Sequence, residues 1–269
     1  MIITYLGHAG FIVETDDVIL IMDPWLSEDG AFDGAWFQFP CNHHLQYLLQ
    51  QKLSSTTQSK YIYLSHEHKD HFDAGFLKSI EAFDFTYIIP RFHRPALVNA
   101  LERFTTHRIQ LCSDSDIVFL NGGLIKIFAD DGELNRDSAI LVELNGKRFL
   151  NLNDCKIHDR LKEIVGDLPI DVFACQYSGA TWHPTCYDYS REEYERVSLK
   201  KMRSKFEATA KAIETVRPDI FLPSAGPACF LDPDLIAINF EPINIFPRTN
   251  KLLDYLSKRL IKTPDKNAC

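Results

Sequence analysis

Residues 61–72 read Tyr61-Ile62-Tyr63-Leu64-Ser65-His66-Glu67-His68-Lys69-Asp70-His71-Phe72. The apolar run 61–64 has the composition of a short buried strand, and it stops at Ser65. Three imidazoles and a carboxylate then fall within six residues. In an extended turn, residues two apart project to the same side, so His66 and His68 converge on one ion while Asp70 and His71 supply a second. Clustered histidines at a strand end have no inexpensive structural purpose. The pattern therefore predicts a dinuclear metal centre at the edge of a sheet.

The elements around this stretch predict how the edge is built. Upstream, 2–6, 10–14 and 18–22 read as a strand meander around Gly7 and Asp16-Asp17, with Asp23-Pro24 ending the third strand. Helical spacing is expected over 43–53, 74–82 and 95–104, with 86–89 extended between them. Downstream, strand-like pieces fall at 109–111, 116–120, 124–128, 138–144 and 148–152, the last two joined by the hairpin signal Asn145-Gly146. Further helices are expected at 156–165, 190–216 and 250–260, with strands at 171–175 and 220–223. Strands and helices in both halves predict two covered sheets in one αββα unit. The expectation is one domain over 1–269 with a flexible polar tail at 261–269.

More distant ligands are sought at strand ends. Asp154 follows the strand 148–152, and its two oxygens suit it to bridge both ions. Glu133, in Asp130-Asp131-Gly132-Glu133, is the candidate to complete the ion of His66 and His68, with Asp130 and Asp131 as competitors and a solvated turn as the plain explanation of the run. His183 is the candidate distal ligand for the Asp70–His71 ion. His8, in Gly7-His8-Ala9-Gly10, reads as a donor to a ligand or as a substrate contact, and Asp23 as a carboxylate that orients a ligand histidine through its other ring nitrogen. Residues 25–41 lack a steady period and hold several aromatics; Trp25, Trp36 and Phe37 are expected either to plug a core or to line an apolar substrate pocket.

Composition narrows the function classes. The chain has 269 residues, 45% of them apolar, and a formal charge of -8, which provides no broad positive field for a nucleic-acid backbone. No run approaches the roughly 18 apolar residues of a membrane span. Seven cysteines, an odd number without a CxxC, fit reduced thiols in the cytoplasm better than a disulfide framework. A small molecule is the expected ligand.

The run His66, His68, Asp70 and His71 resembles the His-x-His-x-Asp-His signature of the metallo-beta-lactamase superfamily. Gly7-His8-Ala9-Gly10, Asp23-Pro24-Trp25-Leu26, Ala31-Phe32-Asp33-Gly34, Asp137-Ser138-Ala139, Asn153-Asp154-Cys155, Ser178-Gly179-Ala180 and Phe221–Gly226 extend the resemblance over about 1–235 to the branch containing CMP-N-acetylneuraminate hydroxylases and diiron oxygenases. The resemblance implies a metallo-beta-lactamase-like αββα sandwich. A glutamate in place of the hydrolases' histidine is similar to the diiron oxygenases: His66, His68, Glu133 and Asp154 would surround one iron, and Asp70, His71, Asp154 and His183 the other.

A carboxylate in place of an imidazole favours harder ions such as ferric iron. The expected activity is hydroxylation of a small molecule with dioxygen, with Asp154, Glu133 and His8 as the catalytic set. The sialic-acid hydroxylases also carry a Rieske domain whose Cys-His pairs should precede this fold, and no such pairs occur in this sequence. Electrons are thus expected from a separate ferredoxin or reductase. Two other readings stay open: a hydrolase of a phosphodiester, lactone or amide using two zinc ions, and a noncatalytic binding scaffold.

Overall fold

A computed structural model describes residues 1–55, 57–133, 136–179 and 181–260. The proposed tail, 261–269, lies outside the described residues. Strands β1 (Ile2–Gly7), β2 (Gly10–Glu14), β3 (Val18–Met22), β4 (Ser59–Tyr63), β5 (Thr86–Pro90) and β6 (Ile109–Cys112) form one sheet in sequence order. The first three make an antiparallel meander, and β3 to β6 run parallel. The parallel crossovers carry helices α1 (Gln46–Leu53), α2 (Ala74–Ser79) and α3 (Ala96–Leu101).

The second sheet holds β7 (Ile117–Leu120), β8 (Gly123–Asp131), β9 (Arg136–Leu144), β10 (Lys147–Asn151), β11 (Val172–Gln176) and β12 (Ile220–Ser224), again in sequence order. Its first four strands are antiparallel and the last two join in parallel. Helices α4 (Leu161–Val165) and α5 (Arg191–Val216) cover it, and α6 (Thr249–Leu260) packs on α5 through Leu252, Leu256, Phe206 and Ala210. The 26-residue α5 starts with a capping pair, Ser190 Oγ accepting from Glu193 N at 3.2 Å, and ends at left-handed Arg217, before Pro218.

The layering follows from the two faces of single strands. β3 is buried at every position, so it reads as a continuous apolar run. Ile19 and Ile21 face α1–α3 with Leu49, Phe76 and Leu101, while Val18, Leu20 and Met22 face the other sheet with Val118, Ile127 and Phe149. On the far side, Leu141, Leu150 and Phe173 meet Leu161, Ile164, Ala212 and Val216 of the covering helices. Three apolar layers between four structural layers give the expected αββα sandwich.

One boundary differs from the sequence reading in a way that matters. The acidic run does not form a turn directly after residue 128; β8 continues to Asp131 and β9 begins at Arg136, pairing Asp130 with Asp137 and Asp131 with Arg136. Three further ladder pairs, Ala129–Ser138 to Asp131–Arg136, follow Phe128.

Candidate metal centre

The ends of β3 and β4, the β1–β2 turn, the start of β9 and the segment after β10 all reach one edge of the sandwich. Three residues that set side chains there have left-handed backbones: His8 (φ 48°), Asp23 (φ 39°) and Asn153 (φ 52°). Non-glycine residues adopt this region at a cost, and such strain concentrates where surroundings over-determine a functional geometry. Gly7, at φ 111°, gives the β1–β2 turn the backbone that delivers His8.

The His66–His71 turn is held by buried hydrogen bonds. Ser65 donates to Asp23 through its amide at 2.8 Å and through its hydroxyl at 2.5 Å. The other Asp23 contact is His71 Nδ1, 2.7 Å from Oδ2, which leaves His71 Nε2 aimed at the cluster. Across the inter-sheet core, Ser138 Oγ donates to the Ser65 carbonyl at 2.9 Å and meets Tyr63 Oη at 2.6 Å. The turn is therefore tied to both sheets.

Two donor groups result, each with its ligand atoms within 4.8 Å of one another: His66, His68 and Asp154, and His8, Asp70 and His71. His66 Nε2 stands 2.8 Å from His68 Nδ1 and 3.9 Å from Asp154 Oδ1. That same Asp154 oxygen lies 3.3 Å from His71 Nε2, so it stands between the groups. His8 Nε2 is 3.0 Å from Asp70 Oδ2. His8 Nε2, Asp70 Oδ1, His71 Nε2 and Asp154 Oδ1 are buried without a hydrogen-bond partner. Buried polar atoms of folded proteins are almost always satisfied, and four orphans converging on one spot fit two cations.

The electrostatics agree. Burial alone would lower the His66 pKa, but Asp137 and Asp154 raise it to about 9. His71 is pushed well up by Asp154 and Asp70 against the same burial. Burial raises Asp70, yet His71 and His8 bring it down to about 2. Asp154 is held low by His71 and His66 despite burial. The carboxylates hold positive charge on the rings, a role that cations take over with release of protons.

Several expected site residues are placed elsewhere. Glu133 sits at the projecting tip of the β8–β9 hairpin with its side chain 85% exposed, 3.6 Å from Arg94. The structure thus does not bring Glu133 to the cluster. Asp131 bonds the His93 amide and ring on the outer surface. The carboxylate facing the centre is Asp137, on the returning strand. Its Oδ1 accepts from Ser138 N at 2.6 Å and lies 3.1 Å from His66 Nδ1, and it shares a hydrogen bond with Asp154. Burial raises its pKa, His66 opposes, and Asp154 adds to the rise.

His183 is also away from the two donor groups. Its Nε2 meets Tyr189 Oη at 3.0 Å and its ring lies edge-on to Tyr187 and Tyr189. His8 stands with Asp70 and His71 instead. Nothing in the local sequence around His183 separates a ring stacked on tyrosines from a ligand, whereas Asp137 was available in the Asp137-Ser138-Ala139 match and needed only the correct hairpin register.

A cavity of about 1010 Å³ opens from the cluster, lined on its apolar side by Phe32, Trp36 and Trp182 and deeper in by Cys155 and Cys175. Of the expected pocket aromatics, Trp36 lines it. Trp25 is buried beneath it, edge-on to His8 at 5.3 Å, and Phe37 is spent on a backbone bridge to Cys229. Neither Trp25 nor Phe37 lines the cavity, while the loop folds back on itself through the Ala31–Trp36 bridge. Cys155 and Cys175 are free, and among the described residues no disulfide occurs. Among them, too, no helix is long and apolar enough to cross a membrane.

Comparisons with known proteins accord with this geometry. Residues 2–127 match the beta-lactamase superfamily domain. The chain is 34% identical over 268 residues to a Mycobacterium tuberculosis protein provisionally named a Rieske 2Fe-2S iron-sulfur protein, covering 95% of this chain and 50% of that one. It is 27% identical over 239 residues to the cytidine monophosphate-N-acetylneuraminic acid hydroxylase of Pan troglodytes, covering 83% and 38%. The chain thus spans at most about half the length of these curated relatives. Among solved structures, the diiron beta-hydroxylase CmlA of Streptomyces venezuelae superposes with a TM-score of 0.59 at 15% identity, covering 97% of this chain and 51% of that one. The metallo hydrolase Igni18 of Ignicoccus hospitalis gives 0.57 at 15% identity, covering 96% and 91%. The resemblance to the metallo-beta-lactamase superfamily and its fold is borne out, and that fold is shared by hydroxylases and hydrolases.

Proposed function

We propose that this chain, a metallo-beta-lactamase fold with a beta-lactamase superfamily domain over 2–127, is a nonheme diiron monooxygenase that hydroxylates a small molecule. The observation that carries the reading is Asp137, a buried carboxylate set against both His66 and Asp154. With it behind His66 and Asp154, three aspartates stand among four imidazoles at two ion positions, and such an oxygen-rich, anionic surrounding favours hard, higher-valent ions. His66, His68 and Asp154 would hold one ion, with Asp137 behind them on His66 Nδ1 and against Asp154; His8, Asp70, His71 and Asp154 would hold the other. Two iron ions held there would supply dioxygen activation and the oxidising equivalents for hydroxylation. The hydroxylase names among the relatives support the same reading.

The protein's own contribution is geometry and exclusion of water. Asp23 fixes the His71 ring through Nδ1, and Asp137 Oδ1 does the same for His66. Gln176 Nε2 donates to Asp154 Oδ2 at 3.3 Å and keeps that carboxylate turned toward the two groups. Trp36, Phe32 and Trp182 form an apolar entrance that sheds water from a bound substrate. Electrons come from a donor outside the described residues, a ferredoxin or reductase. Purification from iron-supplemented cells tests the proposal: two irons per chain and dioxygen consumption by the reduced protein are expected. A zinc-loaded protein fully active in anaerobic hydrolysis of a lactone, amide or phosphodiester would replace it, and a chain that retains no metal would leave a binding scaffold.

A further inference from the structure

Three lysines line the cavity without contacting the metal centre directly: Lys156, just after Asp154, and Lys201 and Lys205 on α5, the last reaching Asp154 only through Gln176. Among the described residues none of them is ion-paired, whereas Arg191 and Arg196 of the same helix each pair with a glutamate and Arg136 at the cavity wall pairs with Glu67. Lys201 Nζ donates to the His183 carbonyl at 2.9 Å and Lys205 Nζ to Gln176 Oε1 at 2.7 Å. Each ammonium has three donors, and its protein partner here is neutral.

Their placement is costly on structural grounds. Lys201 and Lys205 stand four residues apart on one face of a helix, a spacing at which like charges repel. Burial lowers the Lys205 pKa and the charge of Lys156 adds to the effect, with Asp154 opposing only in part. An ammonium taken from water without a counter-ion is destabilising. Supporting Gln176 does not explain it, since a neutral amide could donate the same bond and would not bring a second and third charge to that wall.

We propose that Lys156, Lys201 and Lys205 form the docking site for an anionic oxygen group, a carboxylate or a phosphate, on the substrate of the metal centre. The inference rests on the metal-centre reading above and deepens it. The substrate class is an organic acid or phosphate ester whose anionic group binds at α5 while its reacting carbon extends toward His66 and Asp154. Trp36 and Trp182 face the same cavity and suit an apolar portion between the two ends.

Calorimetric titration of the full-length, metal-loaded chain tests this with phenylacetate, phenyl phosphate and neutral phenylacetamide. The anions are expected to bind about ten-fold or more tighter than the amide, the ratio a charge-assisted hydrogen bond provides. Lys201→Gln should shrink that preference while metal content is unchanged, Lys205→Gln should shrink it when compared at equal metal loading, and Lys205→Arg should keep most of it. Tighter binding of phenyl phosphate assigns a phosphate ester, and tighter binding of phenylacetate an acid. Should Lys205→Gln not fold, Lys201→Gln, which removes an ammonium bonded only to a backbone carbonyl among the described residues, decides alone. Equal binding of amide and anions, or a preference untouched by both substitutions, overturns the proposal, the latter because the anion then sits on the metals. A lysine-dependent preference in protein that holds zinc instead of iron would leave this inference standing and remove the oxygenase reading.

Discussion

Two acidic turns border the same edge of the sandwich and behave oppositely. The turn His66–His71 is anchored from three sides, by Asp23 from β3, by Ser138 from the opposite sheet and by Asp154 between its rings. After Asp131 the chain leaves the ladder, and Glu133 there is exposed and, among the described residues, pairs with Arg94. Acidic composition is shared; what differs is whether the ladder delivers the carboxylate inside. Position along a strand, not residue type, decides which aspartate or glutamate is a donor.

Breaking the anchored side should have the largest effect. Asp154→Ala removes the oxygen that stands between His66 and His71, and loss of both ions is expected in metal analysis of the purified variant. Retention of both ions would mean that Asp154 does not bridge them. Next comes the direct contrast of the two candidate carboxylates. Asp137→Asn should weaken metal retention on the order of 10- to 100-fold, the range typical of losing a partner that positions a ligand. Glu133→Gln should leave it unchanged. The reverse ranking in a chelator competition assay would restore Glu133 to the site.

A smaller effect is expected where the anchored turn meets the second sheet. Ser138→Ala leaves the Ser65 carbonyl short of a partner and the buried Tyr63 hydroxyl with only the Ser138 carbonyl, at a cost of about 1–3 kcal/mol in a denaturant titration. No measurable loss would show that this tie is dispensable. The smallest effect lies at Asp114, near the far side of the same sheet. Slight burial raises its pKa, but Arg160 and the Ala129 amide lower it further. Because the folded carboxylate titrates below its unfolded value, its contribution is present above the ordinary carboxylate pKa and vanishes as pH falls through the lowered one. Its side chain is 45% exposed, so solvent screening limits the loss in Asp114→Asn to about 0.5–1 kcal/mol at neutral pH. The gap from wild type should close in acid; a gap independent of pH would assign the effect to packing.

The sequence revealed the layers because their cause is local. The continuous apolar runs of β3 and β9, the Asn145-Gly146 turn, and the Ser190–Glu193 cap each act within a few residues. His66, His68, Asp70 and His71 were legible for the same reason, as contiguous residues after a strand. The remaining donors come together by register. A strand that ends at 128 puts Glu133 at the edge, while one that ends at Asp131 puts Asp137 there, and composition does not distinguish them. His8 needed the left-handed turn at Gly7-His8, and the place of His183 is set by stacking on Tyr187 and Tyr189. The loop aromatics divide likewise: only the fold of 25–41 shows that Trp36 faces the cavity and Trp25 lies beneath it.

Anomalous scattering at the iron edge, from crystals of protein purified with its own metals, tests the central claim most directly. The account predicts two iron peaks flanking Asp154, with Asp137 beside the ion of His66 and His68 and His8 beside the ion of Asp70 and His71. Zinc at both positions, or an ion bound by Glu133 with Asp137 turned away, would contradict it.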